Sequence, residues 1–243
     1  MSELSNYIDE YLKTEYTLKS TLKDSVQSSV YLYQKNDSAK QIVKISQKNR
    51  NDHVLRRLRG QLNKNTATIY EVCSNDEDVT VLEEYISGAT LRHIVEANGG
   101  TLKRELAVKY ALDICNGLVF IHSLGIIHRD IKPSNIIITE QGEAVIIDFG
   151  IARLTDDSKY ADTKNLGTAG YAAPEQFGIY QSGPVTDIYA VGVLLNELLL
   201  GVHPTIDTPK GKLGKVINKC IMAQMSKRYQ NVSELAEVFN KLL

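Results

Sequence analysis

One short run of residues constrains this chain of 243 residues more than any other feature. The run His128-Arg-Asp-Ile-Lys-Pro-Ser-Asn135 brings a carboxylate, a lysine and an amide close together in sequence. Asp148-Phe-Gly150 follows it, and Ala173-Pro-Glu175 comes later. A carboxylate can accept a proton, a lysine supplies a positive charge, and carboxylate and amide oxygens can bind a metal ion. The three motifs are therefore candidates for a reactive site.

These motifs, in this order, resemble those of the protein kinase family, and the resemblance extends from about Tyr16 to the C terminus. It implies a two-lobed α+β fold, with a small β-rich N-lobe at about 16–86 and a larger helical C-lobe at about 87–243. Residues 1–15 are expected to form an amphipathic helix, because apolar side chains recur there at helical spacing. We expect this helix to pack on the N-lobe rather than on a partner.

Sequence periodicity predicts the elements within each lobe. The predicted strands are 16–22, 29–33, 41–45, 67–73, 79–84, 136–138 and 144–147. The predicted helices are 49–62, 90–97, 103–123, 186–200, 211–223 and 232–242. The segment 167–183 is expected to be a loop.

The resemblance gives each motif residue a role. Asp130 would accept the hydroxyl proton, Lys132 would face the moving phosphate, and Asn135 and Asp148 would bind Mg²⁺. Lys44 would be the lysine that contacts ATP. The expected ATP contacts are Leu22, Val30, Ile42, Lys44, Glu84, Ile86, Ile137 and Asp148.

Further residues match structural positions of the family. Asp187 matches the buried aspartate that anchors the catalytic loop, and Arg228 matches the arginine that pairs with Glu175. Lys132 indicates Ser/Thr specificity, and Thr168 resembles the loop threonine that contacts the base. A hydroxyl-directed protein kinase is therefore expected.

The N-lobe departs from the family pattern in its phosphate-covering loop. Lys23, Ser25 and Ser28 stand where the family has glycines, which let a backbone approach phosphates closely. Side chains of these residues could bind phosphate instead. Ile42 also replaces the small alanine that the family places above adenine.

The carboxylate partner of Lys44 is a second departure. The family pairs this lysine with a glutamate on the following helix, but that position is apolar here. Glu83 falls at a position that is normally apolar, so we predict that Glu83 pairs with Lys44. The alternatives are Asp52 and Asp148.

Three functions fit the sequence: a Ser/Thr protein kinase, a pseudokinase that binds nucleotide or a partner, and a small-molecule phosphotransferase. The Ala-Pro-Glu motif disfavours the third. Arg129 precedes Asp130, and in protein kinases with an arginine at this place the arginine binds a phosphorylated loop residue. The sequence therefore predicts autophosphorylation at Thr163, Ser158 or Thr155.

Composition excludes several other classes. The formal net charge is −1, which disfavours nucleic acid as a partner and leaves Ser/Thr-bearing proteins as expected substrates. Three scattered cysteines and the absence of a signal peptide fit a cytoplasmic protein. The apolar stretch 191–200 is too short to span a membrane. The sequence does not indicate an oligomeric state.

Overall fold

The structure is a computed structural model that describes residues 3–26, 28–48, 51–75, 78–156, 167–177 and 181–243, with side chains from Ile8 onward. The chain forms two compact units. The first comprises Met1–Asn63 and Ala67–Ile86, and the second comprises Lys64–Thr66 and Ser87–Leu243. The first unit is rich in strands and the second in helices, which confirms the predicted α+β class.

The first unit is built on a five-stranded antiparallel sheet, in the order β1-β2-β3-β5-β4. Its strands are β1 (Tyr16–Asp24), β2 (Ser28–Lys35), β3 (Gln41–Lys48), β4 (Ile69–Ser74) and β5 (Asp78–Glu84). Its helices are α1 (Glu3–Glu15) and α2 (Asp52–Leu58). Helix α2 is shorter than predicted, because Gly60 has φ 74° and its N–H bonds to the carbonyl of Ile69 at 2.8 Å.

Cross-strand pairing assigns each side chain of this sheet to one of two faces, since directly opposed residues share a face and successive residues alternate. Lys44 is opposite Leu82 on β5, and the next residue, Val43, is opposite Glu83. We call one side the lysine face; it carries Ile42, Lys44, Cys73 and Leu82. We call the other side the valine face; it carries Val30, Val43, Ile45 and Glu83.

Helix α1 covers the lysine face. Its buried residues Ile8 and Leu12, with Tyr16 at the start of β1, form one apolar cluster with Ile42, Cys73 and Leu82. We call Ile8, Leu12 and Tyr16 the α1 stripe. Because burial of apolar surface is the main driving force for docking, this stripe fixes α1 to the sheet. The expectation that α1 packs on its own lobe is confirmed.

The second unit is mainly helical. Its helices are α3 (Leu91–Ala97), α4 (Arg104–Ser123), α5 (Pro184–Leu200), α6 (Gly211–Cys220) and α7 (Val232–Asn240). Its strands are β6 (Gly88–Thr90), β7 (Ile126–Ile127), β8 (Ile136–Thr139), β9 (Ala144–Ile146) and β10 (Arg153–Leu154). They form the small sheets β6-β8-β9 and β7-β10. Among the described residues, no helix is long and apolar enough to cross a membrane.

Helices α4 and α5 form the core of this unit, where both pack on each other and on α7. Helix α5 begins with Pro184, whose fixed φ suits a first helical turn, and ends at Gly201 with φ 67°. Between these caps most of its residues are buried, and most of the buried residues are apolar, as expected for a central helix. The loop that follows β7 is thereby held against a rigid support.

Candidate active site

Three polar side chains of the second unit converge on Asp130. Lys132 Nζ lies 2.6 Å from Asp130 Oδ2, and Thr168 Oγ1 donates to Asp130 Oδ1 at 2.7 Å. Lys132 Nζ also donates to Thr168 Oγ1 at 2.6 Å. Asn135 Nδ2 donates to Asp130 Oδ2 and to its backbone carbonyl, both at 2.9 Å. The predicted contact between Thr168 and the base is therefore present.

These donors set the charge state of Asp130. Partial burial alone would raise its pKa, but hydrogen bonds from Lys132 and Thr168 outweigh burial, so the pKa of Asp130 lies below its ordinary value. The carboxylate is accordingly ionised at neutral pH. It can accept hydrogen bonds from a substrate hydroxyl and can take its proton.

A buried aspartate holds the backbone of this loop. Asp187, at the start of α5, accepts from the backbone N–H groups of His128 at 3.0 Å and Arg129 at 2.8 Å. Its Oδ2 also lies 2.8 Å from His122 Nε2. Arg129 has φ 69°, a strained value for a non-glycine residue that Asp187 helps to fix. The predicted anchoring role of Asp187 is confirmed.

A second buried carboxylate ties the Ala-Pro-Glu segment to the helical core. Glu175 makes two bonds to the Arg228 guanidinium, at 2.7 and 2.8 Å, and accepts from Thr186 Oγ1 at 2.8 Å. The neighbouring Gln176 donates to the carbonyl of Arg129 at 2.9 Å. The predicted Glu175–Arg228 pair is confirmed, and it is linked through Gln176 to the catalytic loop.

The Asp148-Phe-Gly segment exposes its carboxylate and buries its ring. Asp148 has φ 65°, and its Oδ1 accepts from the N–H of Gly150 at 3.0 Å. Phe149 is buried edge-on against His128, with the ring centroids 5.3 Å apart. The ring fixes the segment, so the aspartate points into solvent where it can bind a ligand.

The oxygen atoms of Asn135 and Asp148 fit a divalent cation. Asn135 uses Nδ2 for both its side-chain hydrogen bonds, which leaves Oδ1 as its ligating atom. Asp148 is exposed and keeps one carboxylate oxygen outside its turn. Carboxylate and amide oxygens are the ligands that Mg²⁺ prefers, so the two predicted ligands suit this ion.

The predicted nucleotide contacts in the first unit do not share a face. Val30 is opposite Ile45 on the valine face, whereas Ile42 and Lys44 lie on the lysine face. No one face of the sheet therefore presents the whole predicted set, and its contacts with ATP stay a prediction. Ile42 is only 2% exposed beneath α1, which closes that surface to a base.

The remaining predicted nucleotide contacts are distributed over both units. Leu22 is exposed on β1 at an irregularity in strand pairing. The Glu84 carboxylate accepts from the N–H of Thr68 at 3.2 Å. Ile86 and Ile137 are half-buried, each in its own unit.

The predicted Lys44–Glu83 pair is wrong. Glu83 is opposite Val43 and therefore lies on the valine face. Lys44 binds Asp9 of α1 at 2.5 Å, and Asp52 binds Ser74 Oγ at 2.9 Å. The expected partners Glu83, Asp52 and Asp148 all follow Lys44 in the chain, whereas Asp9 precedes it by 35 residues. Asp9 directly follows Ile8, one of the apolar residues through which α1 packs on the sheet. Its place beside this apolar pattern was the sequence feature that could have indicated the pair.

Of the three predicted phosphorylation sites, Thr163 and Ser158 lie outside the described residues. Thr155 is exposed, and its hydroxyl donates to the carbonyl of Gly125 at 3.3 Å. Its phosphorylation stays a prediction.

Comparison with known proteins gives a consistent result. The family model described as "Protein kinase domain" matches residues 14–243. A probable serine/threonine-protein kinase of Clostridium perfringens is 35% identical over 63% of this chain and 24% of its own length. One from Clostridium acetobutylicum is 34% identical over 72% of this chain and 30% of its own length. The probable serine/threonine-protein kinase PknB of Bifidobacterium longum is 42% identical over 51% of this chain and 18% of its own length. The chain thus spans less than a third of the length of these relatives.

Proposed function

Because this chain belongs to the protein kinase family, we propose that it transfers the γ-phosphate of ATP to Ser or Thr hydroxyls of proteins. The observation that carries the proposal is the cluster of Lys132, Thr168 and Asn135 around an ionised Asp130. The relatives named as serine/threonine kinases support the same specificity.

In the proposed reaction, a substrate hydroxyl binds to Asp130. Its oxygen attacks the γ-phosphorus, the bond from that phosphorus to the bridging oxygen breaks, and ADP leaves with the bond's electron pair. The hydroxyl proton passes to Asp130. Lys132 lies 2.6 Å from the same carboxylate, and it offsets the negative charge of the transferring group. Thr168 holds the carboxylate in one orientation through its 2.7 Å bond.

Asn135 and Asp148 are the residues that would hold Mg²⁺. The ion, when bound, neutralises phosphate charge. The chain's own contribution is to orient these ligands. Asn135 is fixed by two bonds to Asp130, and Asp148 by the turn that Gly150 closes.

The proposal includes autophosphorylation within the segment between Asp148 and Glu175. It also places the protein in the cytoplasm, where its three free cysteines would stay reduced. Phosphopeptide mapping after exposure to Mg-ATP tests the first point. A segment that stays unmodified while the protein is fully active would refute it.

Intact-mass measurement after incubation with Mg-ATP tests the activity itself. We expect the wild type to transfer phosphate to itself or to a Ser/Thr-rich protein such as casein. Asp130→Asn should slow transfer by about 10²–10⁴-fold, since it removes the proton acceptor but keeps the shape. Asp113→Asn is the matched control, because that carboxylate binds Lys109 at 2.8 Å away from the Asp130 cluster. Transfer by Asp130→Asn at the wild-type rate would contradict the proposal.

A pseudokinase is the second candidate, and one observation favours it. Lys44, which the family resemblance assigns to ATP, is paired with Asp9 on a face that α1 covers. Under this alternative the wild type would bind Mg-ATP or a partner without transferring phosphate. The two candidates are therefore separated by measuring binding and transfer on the same sample.

A further inference from the structure

Two lysines of the first unit lie on opposite faces of its sheet. Lys23 on β1 is directly opposite Val30, which places it on the valine face. Lys44 is opposite Tyr31 and Leu82 on the lysine face. We propose that Lys23 binds the phosphates of ATP and that Lys44 instead anchors α1. This inference rests on the proposed function, since it assigns the nucleotide contacts of the same enzyme.

Lys44 is already engaged. Its ammonium lies 2.5 Å from Asp9 Oδ1, and only 14% of its side chain is exposed. Neighbouring Ile42 and Leu82 are 2% and 5% exposed under the apolar stripe of α1. A phosphate at Lys44 would have to compete with this carboxylate for the ammonium group.

A polar cavity of about 340 Å³ adjoins Lys44 and is the rival phosphate site. Ser28, Ser29 and Ser46 contribute hydroxyls to its lining. The two lysines of the lining are each paired with a carboxylate of the lining, Lys44 with Asp9 at 2.5 Å and Lys48 with Asp78 at 3.0 Å. A carboxylate beside a phosphate is repulsive in a partly desolvated site. The charge of Asp9 therefore disfavours nucleotide phosphates there while α1 is docked.

Lys23 has the opposite properties. It is exposed, and among the residues that the structure describes it forms no ion pair. It adjoins Val30, which the resemblance places against the nucleotide. A lysine in this position offers a mobile point charge of the kind that binds phosphates in other nucleotide sites.

The serines of the same loop serve a different purpose. Ser25 Oγ donates to the carbonyl of Ser28 at 2.9 Å and accepts from its N–H at 3.2 Å. Ser29 Oγ donates to Asp24 Oδ1 at 2.9 Å. Side chains that close the turn between β1 and β2 are committed to the loop itself. Lys23 is then the cation left to take the role that glycine backbone amides have elsewhere in the family.

Binding of Mg-ATP to the full chain, measured by titration calorimetry, tests the assignment. Lys23→Met should raise the dissociation constant about tenfold, the loss of one charge-assisted hydrogen bond. Lys44→Met should keep the dissociation constant within about twofold. Lys19→Met is the charge-matched control on β1, and it should bind as the wild type does. Thermal unfolding of each variant verifies that it is folded.

A rescue experiment tests which face of the sheet binds the nucleotide phosphates. Ile45 is half-buried beside Val30 on the valine face, whereas Ser46 is opposite Ser29 on the lysine face. Adding Ile45→Lys to Lys23→Met should restore nucleotide affinity, because it returns an ammonium to the valine face. Adding Ser46→Lys to Lys23→Met should not restore it. Rescue by Ser46→Lys alone would overturn the assignment.

The rate at which iodoacetamide alkylates Cys73 reports whether Lys44 anchors α1, because α1 covers Cys73. Cys73 is 4% exposed within the cluster that α1 covers, and burial raises the pKa of its thiol. Lys44→Met and Asp9→Asn should both speed its alkylation, and Lys23→Met should not. Buried Cys115 and Cys220, in the second unit, are internal controls for global unfolding.

The outcomes separate this inference from the proposed function. Loss of nucleotide affinity in Lys44→Met with Cys73 still protected would overturn the inference, as would wild-type affinity in Lys23→Met. Binding by the wild type without phosphate transfer would overturn the proposed function alone. No Mg-ATP binding by the wild type would overturn both.

Discussion

The two units of this protein use charged residues in different ways. In the second unit the Glu175–Arg228 pair is almost completely buried, with 1% and 0% of the side chains exposed. In the first unit the Arg59–Glu71 pair is half in solvent, with 49% and 40% exposed. Buried, multiply bonded pairs fix one geometry because breaking them leaves a desolvated charge, whereas exposed pairs exchange readily with water. The Ala-Pro-Glu segment of the second unit is thus held by a desolvated pair, whereas this pair of the first unit stays in contact with water.

Removal of a buried carboxylate should produce the largest difference between the units. Glu175→Ala leaves the Arg228 guanidinium without its partner, and we expect the free energy of unfolding to fall by about 3–5 kcal/mol. Glu71→Ala, which removes the exposed carboxylate, should cost about 0.2–1 kcal/mol. Urea unfolding of both variants measures the contrast. Equal losses would show that burial does not distinguish the two pairs.

Truncation of the α1 stripe should have an intermediate effect. Leu12 is 2% exposed, and Leu12→Ala removes buried apolar surface at the contact with the lysine face. We expect a loss of about 2–3 kcal/mol, the lower part of the range for such changes, because a docked helix can shift to refill the space. Chemical denaturation measures it.

Tyr11→Ala is the matched control for this change, since Tyr11 is 39% exposed on the same helix. It should destabilise the protein less than Leu12→Ala does. If the order were reversed, the assignment of the α1 stripe would be wrong.

Acidification should destabilise the second unit through His128. Burial lowers the pKa of His128, against the pull of Asp187, Asp148 and Asp130. Unfolded histidine titrates near its usual value of about 6.5, so below that pH the unfolded chain binds a proton that the native state does not. Stability should therefore fall as pH drops from about 6.5 through the lower native pKa, by at most about 1.4 kcal/mol per pH unit.

The comparison variant for this effect is His128→Gln. Denaturant unfolding of the wild type and of this variant is measured between pH 7 and pH 5. The variant should lack this part of the pH slope although it is less stable at every pH. A slope identical to that of the wild type would assign the acid sensitivity to other groups.

The second unit could be predicted in detail because its functional residues bond within motifs. Asp130, Lys132 and Asn135 lie in one run of eight residues, and the partners Asp187 and Arg228 carry recognisable flanking sequences. Their contacts are those that the resemblance to the protein kinase family implies. The protein kinase fold and the family could be inferred on the same grounds.

The first unit could be predicted only at the level of its elements. Whether Lys44 and Val30 share a face depends on strand register and on hairpin length, and a shift by one residue moves every side chain to the other face. The sequence also lacks the usual glycines that would have fixed this register by motif. The Asp9–Lys44 pair joins residues 35 positions apart, so it required the docked position of α1.

A structure of the full chain with a non-hydrolysable ATP analogue and Mg²⁺ tests the central claim most directly. That claim is that the nucleotide uses the valine face while α1 stays docked on the lysine face. We predict the adenine against Val30, the Lys23 ammonium on a phosphate oxygen, and Asp9 still paired with Lys44. An adenine against Ile42, with α1 displaced and Lys44 bound to phosphate, would contradict it.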